Sequence, residues 1–179
     1  MVIILLGFEI VYIAIQAKRK QLSHFNQSAP FYIFMYALMG FAATVVTLYT
    51  AYVGLLFCLT RFPNLPDYYI WSIRFGILVF VVFAFEGFVM GSRLTHTIGG
   101  EMGGEGVPIL NWSTKFGDPR VAHFIGMHAL QVLPLLSYFI LKNTFLVFVL
   151  AILYFALAVF TLRQALRGKP FCNFNAPSI

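Results

Sequence analysis

The sequence predicts an all-α fold: a polytopic bundle of five transmembrane helices forming one domain. Three observations carry this. Of 179 residues, 60% are hydrophobic and only 10% are charged, where a soluble domain carries about 25% charged residues. The mean hydropathy is +0.85, so there are too few polar groups to cover a surface facing water. The apolar residues also fall into runs near the ~20 residues a helix needs to cross the hydrocarbon core.

The first run covers residues 2–17 and stops at Lys18-Arg19-Lys20. It carries Glu9 and has neither a basic leader nor a small-residue cleavage site, so it reads as a retained helix and not a signal peptide. Its abrupt apolar start suggests a longer natural chain. A polar link follows, and Ser28 ahead of Pro30 marks the start of a second helix. That helix, residues 31–59, is longer than a span needs and so tilts or extends past the bilayer. Its hydroxyl groups read as structural.

Pro63 and Pro66 break the chain between Arg61 and Asp67. Tyr68, Tyr69 and Trp71 then mark a membrane interface. The third span is 70–91, with Arg74 one turn inside and able to snorkel outward. A long loop, 92–120, has a glycine-rich middle at 99–106 that reads as a lid. Asp118-Pro119 resembles an N-cap followed by proline at the first helical position. The fourth and fifth spans are 119–141 and 144–162, joined by a tight turn at Lys142-Asn143. A loose tail is expected over 171–179, and no internal repeat is visible.

Five spans place the termini on opposite sides. Nine of the twelve basic residues then share the side that follows the first span, and only Arg61, Arg74 and Lys142 lie on the other. The positive-inside rule makes the nine-residue side cytoplasmic, with the N-terminus outside and the C-terminus inside. The 92–120 loop is then cytoplasmic. Cys58 and Cys172 fall on opposite faces and cannot pair. Because the basic residues flank apolar runs, the net charge of +6 reports topology and not a nucleic-acid partner. The partner implied is the lipid bilayer, with a second membrane protein or another copy of the chain as a further possibility.

Residues 86–131 hold three of the four histidines and four of the six acids. At 1.5 Å per residue, Glu86, His128 and Glu9 lie roughly 8, 10 and 12 Å from the cytoplasmic ends of their helices. An ionisable group in hydrocarbon turns inward unless it is hydrated or paired. These three are therefore expected to converge as proton carriers, with Glu86 facing His128. His123 and His128 point about 140° apart on a helix, which does not suit a single metal held in i, i+4 fashion. Histidines 24, 96, 123 and 128 are candidate cofactor ligands. A metal would draw on His96, His123, His128 and Glu86, since histidine with carboxylate suits a transition metal. Two histidines from different helices could instead hold a b-type haem. Trp112, Val107, Ile109 and Leu110 are expected to fold back over His96 and His123, because exposing apolar surface is unfavourable by about 25 cal/mol per Å².

The blocks His96-Thr97-Ile98-Gly99, Gly106-Val107-Pro108, Asn111-Trp112-Ser113 and Arg120 to Gln131 resemble a family of uncharacterised bacterial multi-pass membrane proteins, as does the stretch from Ser23-His24-Phe25-Asn26 to Gly40. The resemblance spans about half the chain and implies a bacterial inner-membrane location but no reaction. No serine or cysteine nucleophile stands at a recognisable spacing from a base. Three functions are compatible with the sequence: a metal- or haem-dependent redox protein with its site in the cytoplasmic half, a proton-coupled transporter or channel, and a non-catalytic subunit of a membrane complex.

Overall fold

The computed structural model describes residues 2–172, so most of the tail expected over 171–179 lies outside the described residues. The described chain is helical, with five α-helices: α1 Val2–Lys18, α2 Pro30–Leu59, α3 Asp67–Arg93, α4 Arg120–Leu136 and α5 Thr144–Leu166. A π turn, Ser137–Leu141, prolongs α4. Among the described residues four helices, α2 to α5 with the π turn included, are long and apolar enough to cross a bilayer. The fifth expected span, α1, is not among these four and has 17 residues. The chain divides into two compact units at Tyr52/Val53.

The first unit is built on α1 and most of α2. Tyr12 on α1 is buried with Met35 and Met39 of α2, and Tyr36 packs against them. Gln16, one turn after Tyr12, is buried and donates to the Tyr12 hydroxyl at 2.9 Å. Along α2 the hydroxyls of Thr44, Thr47 and Thr50 each donate to the carbonyl four residues back, at 2.7–2.9 Å. They satisfy themselves locally, as a hydroxyl in an apolar helix must, and their role is structural.

In the second unit, α3, α4 and α5 pack on one another around Val79, Phe83, Ala122, Ala129, Leu133, Ala151 and Ala158. Small residues set this geometry. Gly76 of α3 lies where an added Cβ would come within 3.0 Å of the Ala129 carbonyl oxygen, and Gly126 of α4 lies directly against the Phe83 side chain. Small-residue contacts of this kind let membrane helices approach closely. Pro134 lies within α4, and three residues later the helix widens into the π turn. A proline removes one backbone donor and crowds the preceding turn, and such bulges accompany broken ladders. The Ser137 hydroxyl is buried and donates to the Tyr68 carbonyl at 3.1 Å, tying this turn to the start of α3.

The tight turn at 142–143 forms as expected. Lys142 adopts positive φ, and the Asn143 side chain caps α5 by accepting from the Leu146 N–H at 3.1 Å. Helix α5 continues to Leu166, four residues past the expected end, so Arg163 falls in its last turn. Helix α3 is longer at both ends, 67–93 and not 70–91. Both cysteines are free.

Candidate functional site: a buried carboxylate and its imidazole

The C-terminal third of α3 and the first turns of α4 bring Glu86 and His123 together. On α4 the buried positions are Val121, Ala122, Gly126, Ala129 and Leu133. This small, apolar stripe is the face that packs on α3. At 100° per residue, His123 and His128 flank this stripe on opposite sides. The imidazole of His123 rests on Gly87, where an added Cβ would meet its Cε1 at 3.1 Å. Its Nδ1–H donates to the Phe83 carbonyl at 2.7 Å, and the same Nδ1 is 3.5 Å from Glu86 Oε2.

The Glu86 side chain is only 4% exposed, against 30% for His123. Both Glu86 oxygens are buried, and neither has a hydrogen-bond partner among the described residues. The Nδ1 proton explains this. It is aimed at the Phe83 carbonyl, so the imidazole is close to the carboxylate without donating to it. A buried polar oxygen without a donor is unfavourable by roughly 1–3 kcal/mol, and more when charged.

The expected facing of Glu86 and His128 is not found. His128 is exposed, its Nδ1–H donates to the Phe124 carbonyl at 2.7 Å, and its ring lies over Phe124 with centroids 4.0 Å apart. The packed stripe of α4 separates the two histidines onto opposite flanks, and the flank that meets Glu86 and Gly87 is that of His123. Glu9 lies in the first unit, where Oε1 is 3.9 Å from His24 Nε2. His24 is held by Ser23, whose Oγ is 3.0 Å from Nδ1, and by edge contacts with Phe25 and Tyr36. Burial pushes the His24 imidazole below its ordinary value of 6.5.

The loop after α3 is folded. Ile98 and Gly117 exchange backbone hydrogen bonds at 2.8 and 3.1 Å, and Gly106 pairs with Ser113. Gly117 sits against the Ala165 carbonyl at the end of α5, leaving no room for a side chain. Asp118 closes the loop. Its side chain is wholly buried and accepts from the Ser113 N–H, the Arg120 N–H and the Arg120 guanidinium, the shortest at 2.6 Å. Pro119 already has helical angles, so Asp118 acts as the expected cap of α4. Arg120 also donates to the Asn111 carbonyl at 2.6 Å.

Of the four apolar loop residues expected to fold back, two are half-buried and two are exposed. Trp112 is half-buried and meets Phe124 edge-on at 5.4 Å, and Val107 is half-buried. Ile109 is fully exposed at 103%, and Leu110 is exposed as well. The tip explains the difference. Ile109 and Asn111 both take positive φ, 70° and 51°, in a turn that aims its side chains outward. His96 is half-buried beside Thr97, with Nδ1 3.3 Å from Oγ1. Its imidazole is lowered from 6.5, first by burial and then by the Arg120 guanidinium, with Asp118 acting in the opposite sense.

The ligand set His96, His123, His128 and Glu86 does not assemble, because His128 turns away from the pair. Among the described residues no three His, Cys, Asp or Glu side chains gather as a metal site requires. The structure sets Glu86 beside His123 and not beside the expected His128. The stripe of Ala122, Gly126 and Ala129 marks the packed face of α4 but not which flanking histidine meets Glu86.

Fold and site together define a multi-pass helical membrane protein with an ionisable pair inside its bundle. Comparison with protein-family models, curated proteins and solved structures returned no match.

Proposed function

We propose that this protein is a proton-coupled transporter or channel in which Glu86 and His123 form the proton-binding pair. The observation that supports this is the Glu86 carboxylate, buried without a donor and 3.5 Å from an imidazole that is itself partly exposed. Ionisable residues within membrane helices commonly mark proton paths. A proton arriving at His123 Nε2 allows Nδ1 to release its own proton to Glu86 Oε2. Nδ1 breaks its N–H bond, Oε2 gains an O–H bond, and the imidazole is left as the other neutral tautomer. Glu9 and His24 form a second carboxylate–imidazole pair within the first unit. The metal reading has less to stand on, since no three His, Cys, Asp or Glu side chains gather among the described residues.

The test is proton flux into vesicles loaded with a pH-sensitive dye, under an imposed potassium diffusion potential. Glu86→Gln should reduce the protein-dependent flux by about tenfold or more, the range expected when a positioned proton carrier is lost. His123→Ala should do the same, while His128→Ala should leave flux unchanged. Flux that survives Glu86→Gln intact sinks the reading.

Along with the resemblance to bacterial multi-pass proteins, we propose a bacterial inner-membrane location. The fifth span, α1, with the N-terminus outside and the C-terminus inside, belongs to the same proposal.

A further inference from the structure

At the other end of α3 lies a cavity of about 340 Å³ lined by residues that include Arg61, Phe62, Asp67, Ile70, Trp71 and Arg74. Arg74 is half-buried. It does not simply snorkel to water, because its Nε donates to the Phe57 carbonyl at 2.9 Å and its guanidinium lies over the Trp71 ring at 4.8 Å. These two contacts fix the plane of the guanidinium and leave its terminal nitrogens unassigned. No carboxylate lies within salt-bridge distance of Arg74 or Arg61 among the described residues. The first turn of α3 adjoins the cavity. Pro66, which precedes it, supplies no side-chain cap, so free N–H groups and the positive end of the helix dipole add to the field.

We infer that this cavity is a binding site for a singly charged phosphate oxyanion, either a phospholipid phosphodiester or free phosphate. A guanidinium with fixed orientation is the group best suited to grip phosphate oxygens in pairs. Trp71 orients Arg74, and Arg61 at the rim supplies the second cation. Asp67 shares the lining and leaves the site one positive charge, which favours a monoanion over a dianion. At about 340 Å³ the space is at the small end of ligand pockets, which run from roughly 300 to 1,000 Å³. That suits a headgroup and not a larger metabolite. The site is separate from the proposed proton pair, since Arg74 precedes Glu86 by twelve residues, or about 18 Å along the helix.

The test uses the full chain carrying Trp112→Phe in neutral detergent micelles, so that Trp71 is the sole tryptophan. Inorganic phosphate, a short-chain phosphatidylglycerol and a matched uncharged diacylglycerol are titrated separately, reading Trp71 fluorescence. Saturable change with phosphatidylglycerol but not diacylglycerol is expected. Arg74→Gln and Arg61→Gln should each weaken it by about tenfold, the equivalent of one charge-assisted hydrogen bond. Saturation by inorganic phosphate as well assigns a free oxyanion, and saturation by the lipid alone assigns a headgroup. Arg61 is exposed, so Arg61→Gln decides the matter if Arg74→Gln misfolds. The inference is overturned if neither phosphate nor phosphatidylglycerol gives a saturable change, or if the change is the same in the folded arginine variants.

Discussion

Glu86 and His96 illustrate two ways an ionisable group survives near a bilayer. Glu86 is buried beside an imidazole whose proton points to the Phe83 carbonyl, so neither carboxylate oxygen has a donor. His96 lies in the loop, where burial and then Arg120 push its imidazole below 6.5 and Asp118 only partly opposes them. The folded loop therefore prefers neutral His96. Its stabilising share is complete above the unfolded value of about 6.5 and is lost as pH falls through the lowered folded value. Amide hydrogen exchange across residues 95–118, corrected for the intrinsic pH dependence of exchange, should accelerate on acidification below neutrality. His96→Gln should flatten that response. Asp118→Ala should loosen the same loop at all pH values, since it strips the Ser113 and Arg120 donors of their acceptor. A cost of about 2 kcal/mol or more is expected, reduced from a fully buried pair because Arg120 is part-exposed. Limited proteolysis within the loop would register it.

At the scale of the element, α4 decides the site. Its buried stripe is made mostly of small residues, and the approach of Gly126 to Phe83 brings His123 over Gly87. Gly126→Ala would drive a methyl group into the Phe83 side chain and should destabilise the bundle by roughly 1–3 kcal/mol, read as a lower melting temperature in detergent. Gly7 has nothing within 4 Å of an added Cβ, and Gly7→Ala should leave the melting temperature within error or raise it slightly, since alanine is the better helix former. Equal destabilisation by the two substitutions would argue against close α3–α4 packing as the determinant.

For the whole molecule, the question is how many helices cross the bilayer. Four pass by length and composition, and α1 is the shortfall at 17 residues. A reporter fused after residue 179 should read cytoplasmic, and one inserted near Asn64 should read outside, following the nine-to-three split of basic residues. A reporter at the N-terminus tests α1 directly. An outside signal there supports the fifth span, whereas a cytoplasmic signal removes it.

The sequence by itself determined the solvent and the elements. With 10% charged residues, the chain belongs in lipid, where helices satisfy their own backbone groups. Breaks at Pro63-Pro66 and at Asp118-Pro119 located helix ends to within three residues, because proline and capping chemistry act locally. Glu86 was also legible, since a carboxylate inside an apolar run is rare whatever surrounds it. Its partner was not legible. Depth along two helices is linear in sequence, but facing depends on which side of α4 packs, and that is set by the fit of Gly126 and Ala129 against residues of α3 over forty positions away. The loop tip followed the same logic. Apolar composition argued that Ile109 turns inward, while the positive φ angles of the turn aimed it outward. The orientation of Arg74 likewise required the Phe57 carbonyl, which only the folded chain brings beside it. Local chemistry is written residue by residue, whereas facing and pairing arise only when distant surfaces meet.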